Sequence, residues 1–165
     1  MAKTDRPHMP GYGLQPPKEQ AGLLPWSFVS SRMEAAQNYW TATASPAGRP
    51  HAAPVWGIWV DDRFYFSTGS QSRKGRNLAG NPQLVVHLES GDEVVILEGT
   101  AGEVSAGTLF DRLDKIYFEK YAVHLTDENP VYTLNPTLVM AWRERDFPTS
   151  ATRWRFEDSP KGESR

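Results

Sequence analysis

The sequence predicts a mainly β protein whose short antiparallel strands close into a barrel with a few flanking helices. Three observations carry this. Runs of β-branched and aromatic residues recur from position 39 onward, separated by Gly, Pro and Asp turns. Some of them, "PHAAPVWGIWV" above all, are largely apolar on both faces. Helical patterning is confined to short segments near positions 26, 73 and 106. Strands that must bury both faces, with few helices to cover them, bury them by closing on themselves.

In chain order, residues 1–22 carry Pro7, Pro10, Pro16, Pro17 and three glycines without any period, which predicts an extended or disordered arm. Tyr12 and Leu14 are apolar enough to anchor such an arm on a partner subunit. After Pro25, "WSFVSSRMEAAQ" predicts a short amphipathic helix. "YWTATAS" is a strand, "PAGR" a turn and "PHAAPVWGIWV" a second strand. Within it Pro54 cannot donate to a ladder and Gly57 admits close approach, so an edge or bulge facing a ligand is expected there. Asp61-Asp62 makes a tight turn into a third strand, "RFYFST". "QLVVHLES" and "VVILEGTAGEV" form a hairpin, with His87 expected to face the barrel interior. Residues 106–122 place Leu109, Leu113, Ile116, Tyr117 and Tyr121 at helical spacing, a buried stripe. "TLVMAWRERDF" and "ATRWRFE" close a domain expected over residues 23–157, followed by a tail at 158–165.

Between the third and fourth strands lies "STGSQSRKGRNLAGNP". Ser72 is an N-cap, Gly80 a C-cap and Asn81-Pro82 a stop, so a helix spans residues 73–79. Its first turn should favour Asp or Glu, because unpaired N–H groups and the aligned peptide dipoles make that end positive. Arg73, Lys74 and Arg76 stand there instead. A bound phosphate resolves the conflict by taking the N–H groups, the Ser72 hydroxyl and charge-assisted bonds from the cations. A solvated basic helix is the plainer alternative.

Composition excludes several classes. The 165 residues carry 18 Lys and Arg against 20 Asp and Glu, a net charge of −2, so no general field draws the chain to nucleic acid or an acidic membrane. Cysteine is absent, which excludes disulfides and thiolate metal sites and suits the cytoplasm. No apolar run reaches membrane-spanning length. His8, His51, His87 and His124 match no zinc spacing, so no metal is expected. No general acid or base stands out, which leaves any catalysis to a cofactor.

"FSTGSQSRKGRNLAGNP", together with the order of strands around it, resembles the pyridoxamine 5′-phosphate oxidase-like split-barrel flavoproteins, and most closely their flavin and deazaflavin oxidoreductase branch. The resemblance implies a six-stranded antiparallel split β-barrel, a homodimer with cofactor at the interface, and FMN or coenzyme F-420 as cofactor. It implies that Arg73 and Lys74 hold the phosphate and Ser72 caps it, while Ser67 and Thr68 contact the ribityl chain or ring edge. Pro54, Val55 and Trp56 would run under the ring, and Arg153 and Trp154 would reach the site of the other subunit. The implied activity is hydride transfer to or from a small unsaturated or quinone-like molecule. A non-catalytic flavin or haem binder of the same fold is the alternative. Val94 stands where the oxidases carry a ring-contacting glutamine, and the residues that would bind a substrate phosphate near the C-terminus are not recognisable, which argues against pyridoxamine phosphate as substrate.

Overall fold

The computed structural model describes residues 2–156. In chain order the elements are β1 (Lys3–Asp5), α1 (Trp26–Ala35), β2 (Tyr39–Ala44), β3 (Pro50–Val55), β4 (Gly57–Val60), β5 (Arg63–Ser67), α2 (Arg73–Gly80), β6 (Gln83–His87), β7 (Glu93–Glu103), α3 (Thr108–Tyr121), β8 (Val131–Arg143), α4 (Phe147–Ser150) and β9 (Thr152–Arg155). The expected tail at 158–165 lies outside the described residues.

The strands are mainly antiparallel neighbours closing a circuit. β2 pairs with β3 and β6, β6 with β7, β7 with β8, β8 with β5, and β5 with β4. β3 and β4 are one run of chain bent at Trp56. Counted so, six strands make the ring, as a split barrel requires. β9 continues from the far half of β8, and β1 adds to β9. The expected second strand is therefore two: its first half pairs with β2 and its second with β5, and the handover falls between Val55 and Gly57. A Cβ on Gly57 would sit 2.4 Å from the Phe64 ring, so the bend admits only glycine there. The Asp61-Asp62 turn has φ of 51° and 58°, the left-handed pair that a two-residue hairpin needs.

Alternation sets the core. Tyr39, Thr41 and Thr43 on β2, Leu84 and Val86 on β6, Val95 and Leu97 on β7, and Val139 and Ala141 on β8 point inward and are buried. His87 does not share that face: its ring is parallel to Trp40 on the outer side, 6.4 Å away, because the β6 register turns Leu84 and Val86 inward. In α3, Leu113 and Tyr117 are buried, but Leu109 is 43% exposed and Phe110 packs against the core in its place. The helix begins at Thr108, so its first turn has not yet rotated Leu109 onto the barrel.

The start of the chain carries structure that its composition conceals. Asp5 of β1 pairs with Arg153 and Arg155 of β9. Burial opposes ionisation of Asp5, yet the two guanidiniums outweigh it and hold the carboxyl below its usual range. Arg6 is 2% exposed and donates to the carbonyls of Pro148, Thr149 and Ala151 at the end of α4 and of Glu19 and Ala21 in the arm. The guanidinium thus occupies the negative end of a helix and ties the arm to its own chain.

Candidate functional site

Residues 67–80 fold around the start of α2. The Ser72 hydroxyl accepts the N–H of Gly75 at 3.0 Å and shares a 3.0 Å hydrogen bond with the Thr68 hydroxyl. A Cβ on Gly75 would stand 2.4 Å from the Gly69 carbonyl oxygen, so the loop lies directly on the first helical turn. That turn has no acidic residue. Arg73 and Arg76 are exposed and Lys74 half-buried. Among the described residues the ion pairs engage Arg32, Arg112, His124, Arg143, Arg153 and Arg155, and none of the three cations of α2. The helix ends one residue later than expected, with Asn81 as its C-cap.

α2 is fixed to the barrel independently of these charges. Asn77 donates its amide to the Thr43 hydroxyl at 3.0 Å, both side chains being buried, and Leu78 enters the core. Thr43 is opposite His51 in the β2–β3 register. His51 titrates below an ordinary imidazole because of burial first and the charges of Arg73 and Lys74 second. An anion that neutralises those cations must raise its midpoint. An NMR pH titration of the His51 ring should show an upward shift on adding inorganic phosphate, and an upward shift in Arg73→Ala/Lys74→Ala without phosphate. A midpoint indifferent to both would contradict the shared site.

Three residues beyond His51, about 10 Å along an extended strand, the chain reaches Pro54, Val55 and Trp56. Pro54 is exposed on the edge strand β3, Val55 half-buried against the core, and Trp56 46% exposed at the bend. The Trp56 indole lies parallel to Tyr121 of α3, with centroids 4.8 Å apart and planes 6° from coincidence. The Tyr121 hydroxyl accepts the Gly57 N–H at 3.0 Å and lies within donating distance of the carbonyls of Gly57 (2.7 Å) and Gln37 (2.9 Å). Burial pushes that phenol up to about 12. Lys120 donates to the Gly57 carbonyl at 3.0 Å and to the Tyr39 hydroxyl at 2.9 Å. Its ammonium lies 4.9 Å and 5.2 Å from the ring centroids of Tyr39 and Tyr121, and burial draws it down to about 8.

The structure thus brings Thr68, Ser72, Arg73 and Lys74 together at one helix start, with Ser67 adjacent and donating to the Pro130 carbonyl at 3.1 Å. Pro54, Val55 and Trp56 lie farther along β3. Arg153 and Trp154 do not join them within one chain. Arg153 is engaged by Asp5, and Trp154 is 4% exposed, edge-on to Trp26 at 5.4 Å. Their partners on β8, Met140 and Val139, lie roughly 25–30 Å along the strand from Val131, the partner of Ser67. His51, Lys120 and Tyr121 were not among the expected site residues. His51 was detectable as the cross-strand neighbour of Thr43 once "PAGR" is read as a turn; for Lys120 only the tertiary fold places it at the bend.

Comparison with known proteins agrees with this fold. Residues 29–143 match the sequence profile described as pyridoxamine 5′-phosphate oxidase. A pyridoxine/pyridoxamine 5′-phosphate oxidase of Gluconobacter oxydans is 43% identical over 68 residues, which cover 39% of this chain and 34% of that protein, so the match spans about a third of the relative's length. Among solved structures, a conserved hypothetical protein of Mycobacterium tuberculosis superposes with a TM-score of 0.65 at 22% identity, covering 74% of this chain and 86% of that one. The haem storage protein of Vibrio cholerae gives 0.57 at 15% identity, covering 66% and 87%. A structure titled F420 reductase gives 0.54 at 18% identity, covering 67% and 94%. Likeness at these identities speaks for the fold alone.

Proposed function

This chain belongs to the pyridoxamine 5′-phosphate oxidase family, and we propose that it is an oxidoreductase moving a hydride between FMN or coenzyme F-420 and a small unsaturated or quinone-like molecule. The observation that carries this reading is the start of α2, where cations replace the acids a helix favours and no carboxylate among the described residues answers them. A phosphate fits that place: the uncapped N–H groups of Arg73 and Lys74, the Thr68–Ser72 hydroxyl pair and the two cationic side chains all belong to one turn. When bound, the conjugated ring supplies the hydride chemistry. The protein's part is to anchor the phosphate, to offer the backbone of residues 54–56 to the ring, and to leave space for substrate. The exposed indole of Trp56 serves that purpose.

The outer sheet face supports a second copy as partner. The register aligns Pro54, Trp40, His87, Ile96 and Met140 in one row, with Val94 and Trp142 beside it. All but the exposed Pro54 are half-buried, Trp142 meets Phe147 of α4 edge-on, and the row runs on through Arg153 to Asp5. A homodimer using this face would bring Arg153 toward the other subunit's ring. Val94 lies beside that row, in the place of the oxidases' ring-contacting glutamine, which favours a substrate other than pyridoxamine phosphate. No helix among the described residues is long and apolar enough to cross a membrane, and we place the protein in the cytoplasm, where the reduced coenzymes are found.

Haem binding is the second reading, favoured by the likeness to a structure titled as a haem storage protein. Titration of the purified, ligand-stripped protein with FMN, F-420 and haemin separates the two. We expect one of the first two to bind with a shifted visible band and to turn over with a quinone or enone acceptor. Binding of haemin alone, without turnover, would replace this reading with the second.

A further inference from the structure

Lys120 is the one described lysine whose ammonium is drawn into an aromatic cage, and the anchoring of a phosphate does not use it. It has no carboxylate partner among the described residues. It meets instead the Gly57 carbonyl, the Tyr39 hydroxyl and the rings of Tyr39 and Tyr121. A desolvated cation is retained in such a place only if its contacts repay the burial. The contacts converge on one point of the fold, the bend where the second strand passes from β2 to β5. There both backbone groups of Gly57 are bonded: the Tyr121 hydroxyl accepts its N–H, and its carbonyl accepts from Lys120 and lies within donating distance of the Tyr121 hydroxyl. Tyr39 completes the frame, since its own hydroxyl donates to the Met33 carbonyl near the end of α1. The residue immediately before this clamped peptide is Trp56, whose indole rests flat on Tyr121.

We propose that Lys120 is a positioning residue: by holding the Gly57 carbonyl against Tyr39 and Tyr121 it sets the plane of the Trp56 indole, and that plane is the surface on which the conjugated ring of the cofactor or its substrate rests. This rests on the function proposed above for the face at residues 54–56. The geometry gives each partner a separate task. Tyr121 supplies the flat support, and the Gly57 hydrogen bonds fix the height of the bend. Lys120 ties both to β2, so the backbone that carries the indole cannot shift without breaking a charge-assisted bond. The glycine itself cannot be exchanged to loosen the bend, because the Phe64 ring closes that side.

The test compares wild type with Lys120→Met, Lys120→Arg, Tyr121→Phe and Trp56→Phe. The stacked pair should give a near-UV circular dichroism band that disappears in Trp56→Phe, measured without any ligand. The band should be lost in Lys120→Met at unchanged far-UV signal and be partly regained in Lys120→Arg. Tyr121→Phe keeps the stack but not the Gly57 bonds, and it should broaden and weaken the band, which keeps the test open should Lys120→Met fail to fold. With FMN added, Lys120→Met should bind roughly tenfold more weakly and lose the shift of the visible band, whereas inorganic phosphate should protect Arg73 and Lys74 as in wild type. A Lys120→Met protein with the wild-type near-UV band and the wild-type FMN shift would overturn the proposal. Failure of wild type itself to bind FMN or F-420 would instead overturn the cofactor assignment, with the ligand-free band still reporting on Lys120.

Discussion

Arg73→Ala/Lys74→Ala yields a folded protein that binds FMN or F-420 about a thousandfold more weakly than wild type, each single variant losing roughly tenfold to a hundredfold. The magnitude follows from two charge-assisted hydrogen bonds, at about 1.5–3 kcal/mol apiece. The sign of the effect on stability is the more telling part. α2 is attached through Asn77, Thr43 and Leu78, none of which is altered. In the ligand-free state the two cations face the positive end of their own helix, so removing them relieves about 0.3–1 kcal/mol apiece. The ligand-free double variant therefore melts at or slightly above the wild-type temperature, while the cofactor no longer raises its melting point. Equilibrium dialysis and thermal melts with and without coenzyme check both halves. Loss of stability with full coenzyme affinity would mean that the cations serve the fold.

Arg6→Met lowers stability by about 3 kcal/mol and the melting temperature by about 10 °C. Five carbonyls lose their shared donor, three of them at the end of α4, and the site is almost closed to water. Arg6→Lys recovers only part of the loss, because one ammonium cannot span the carbonyls of Thr149 and Glu19 as the planar fork does. Limited proteolysis gives a second readout: cleavage between residues 7 and 22 becomes fast in Arg6→Met and stays slow in wild type. An unchanged melt together with an unchanged cleavage pattern would show that the arm is held by β1 and its Asp5 ion pairs alone.

What could be read in advance from the residues is what local chemistry decides. The α2 cap is written in Ser72 and the stop in Asn81-Pro82, since both depend on groups within one helical turn. The Asp61-Asp62 hairpin is legible for the same reason, and its two positive φ angles agree. The bend at Trp56 is not legible, because the exchange of partner from β2 to β5 is imposed by closure of the ring and not by the eleven residues of the run itself. Arg6 escaped for a related reason: three of the five carbonyls around it are more than 140 positions away, and a Pro- and Gly-rich neighbourhood carries no period to betray it. Lys120 reads as an ordinary polar residue flanking a helical stripe. Only the packing of α3 against the bend makes it a half-buried cation. Trp154 shows the converse, an aromatic on a short strand whose inward register consigns it to the core of its own chain.

The most direct measurement is a crystal structure of the protein grown with FMN or F-420. The account predicts the coenzyme phosphate on the N–H groups of α2, within hydrogen-bonding distance of Ser72, Arg73 and Lys74, and the ring against residues 54–56. A coenzyme bound elsewhere, with those two cationic side chains directed into solvent, would contradict it.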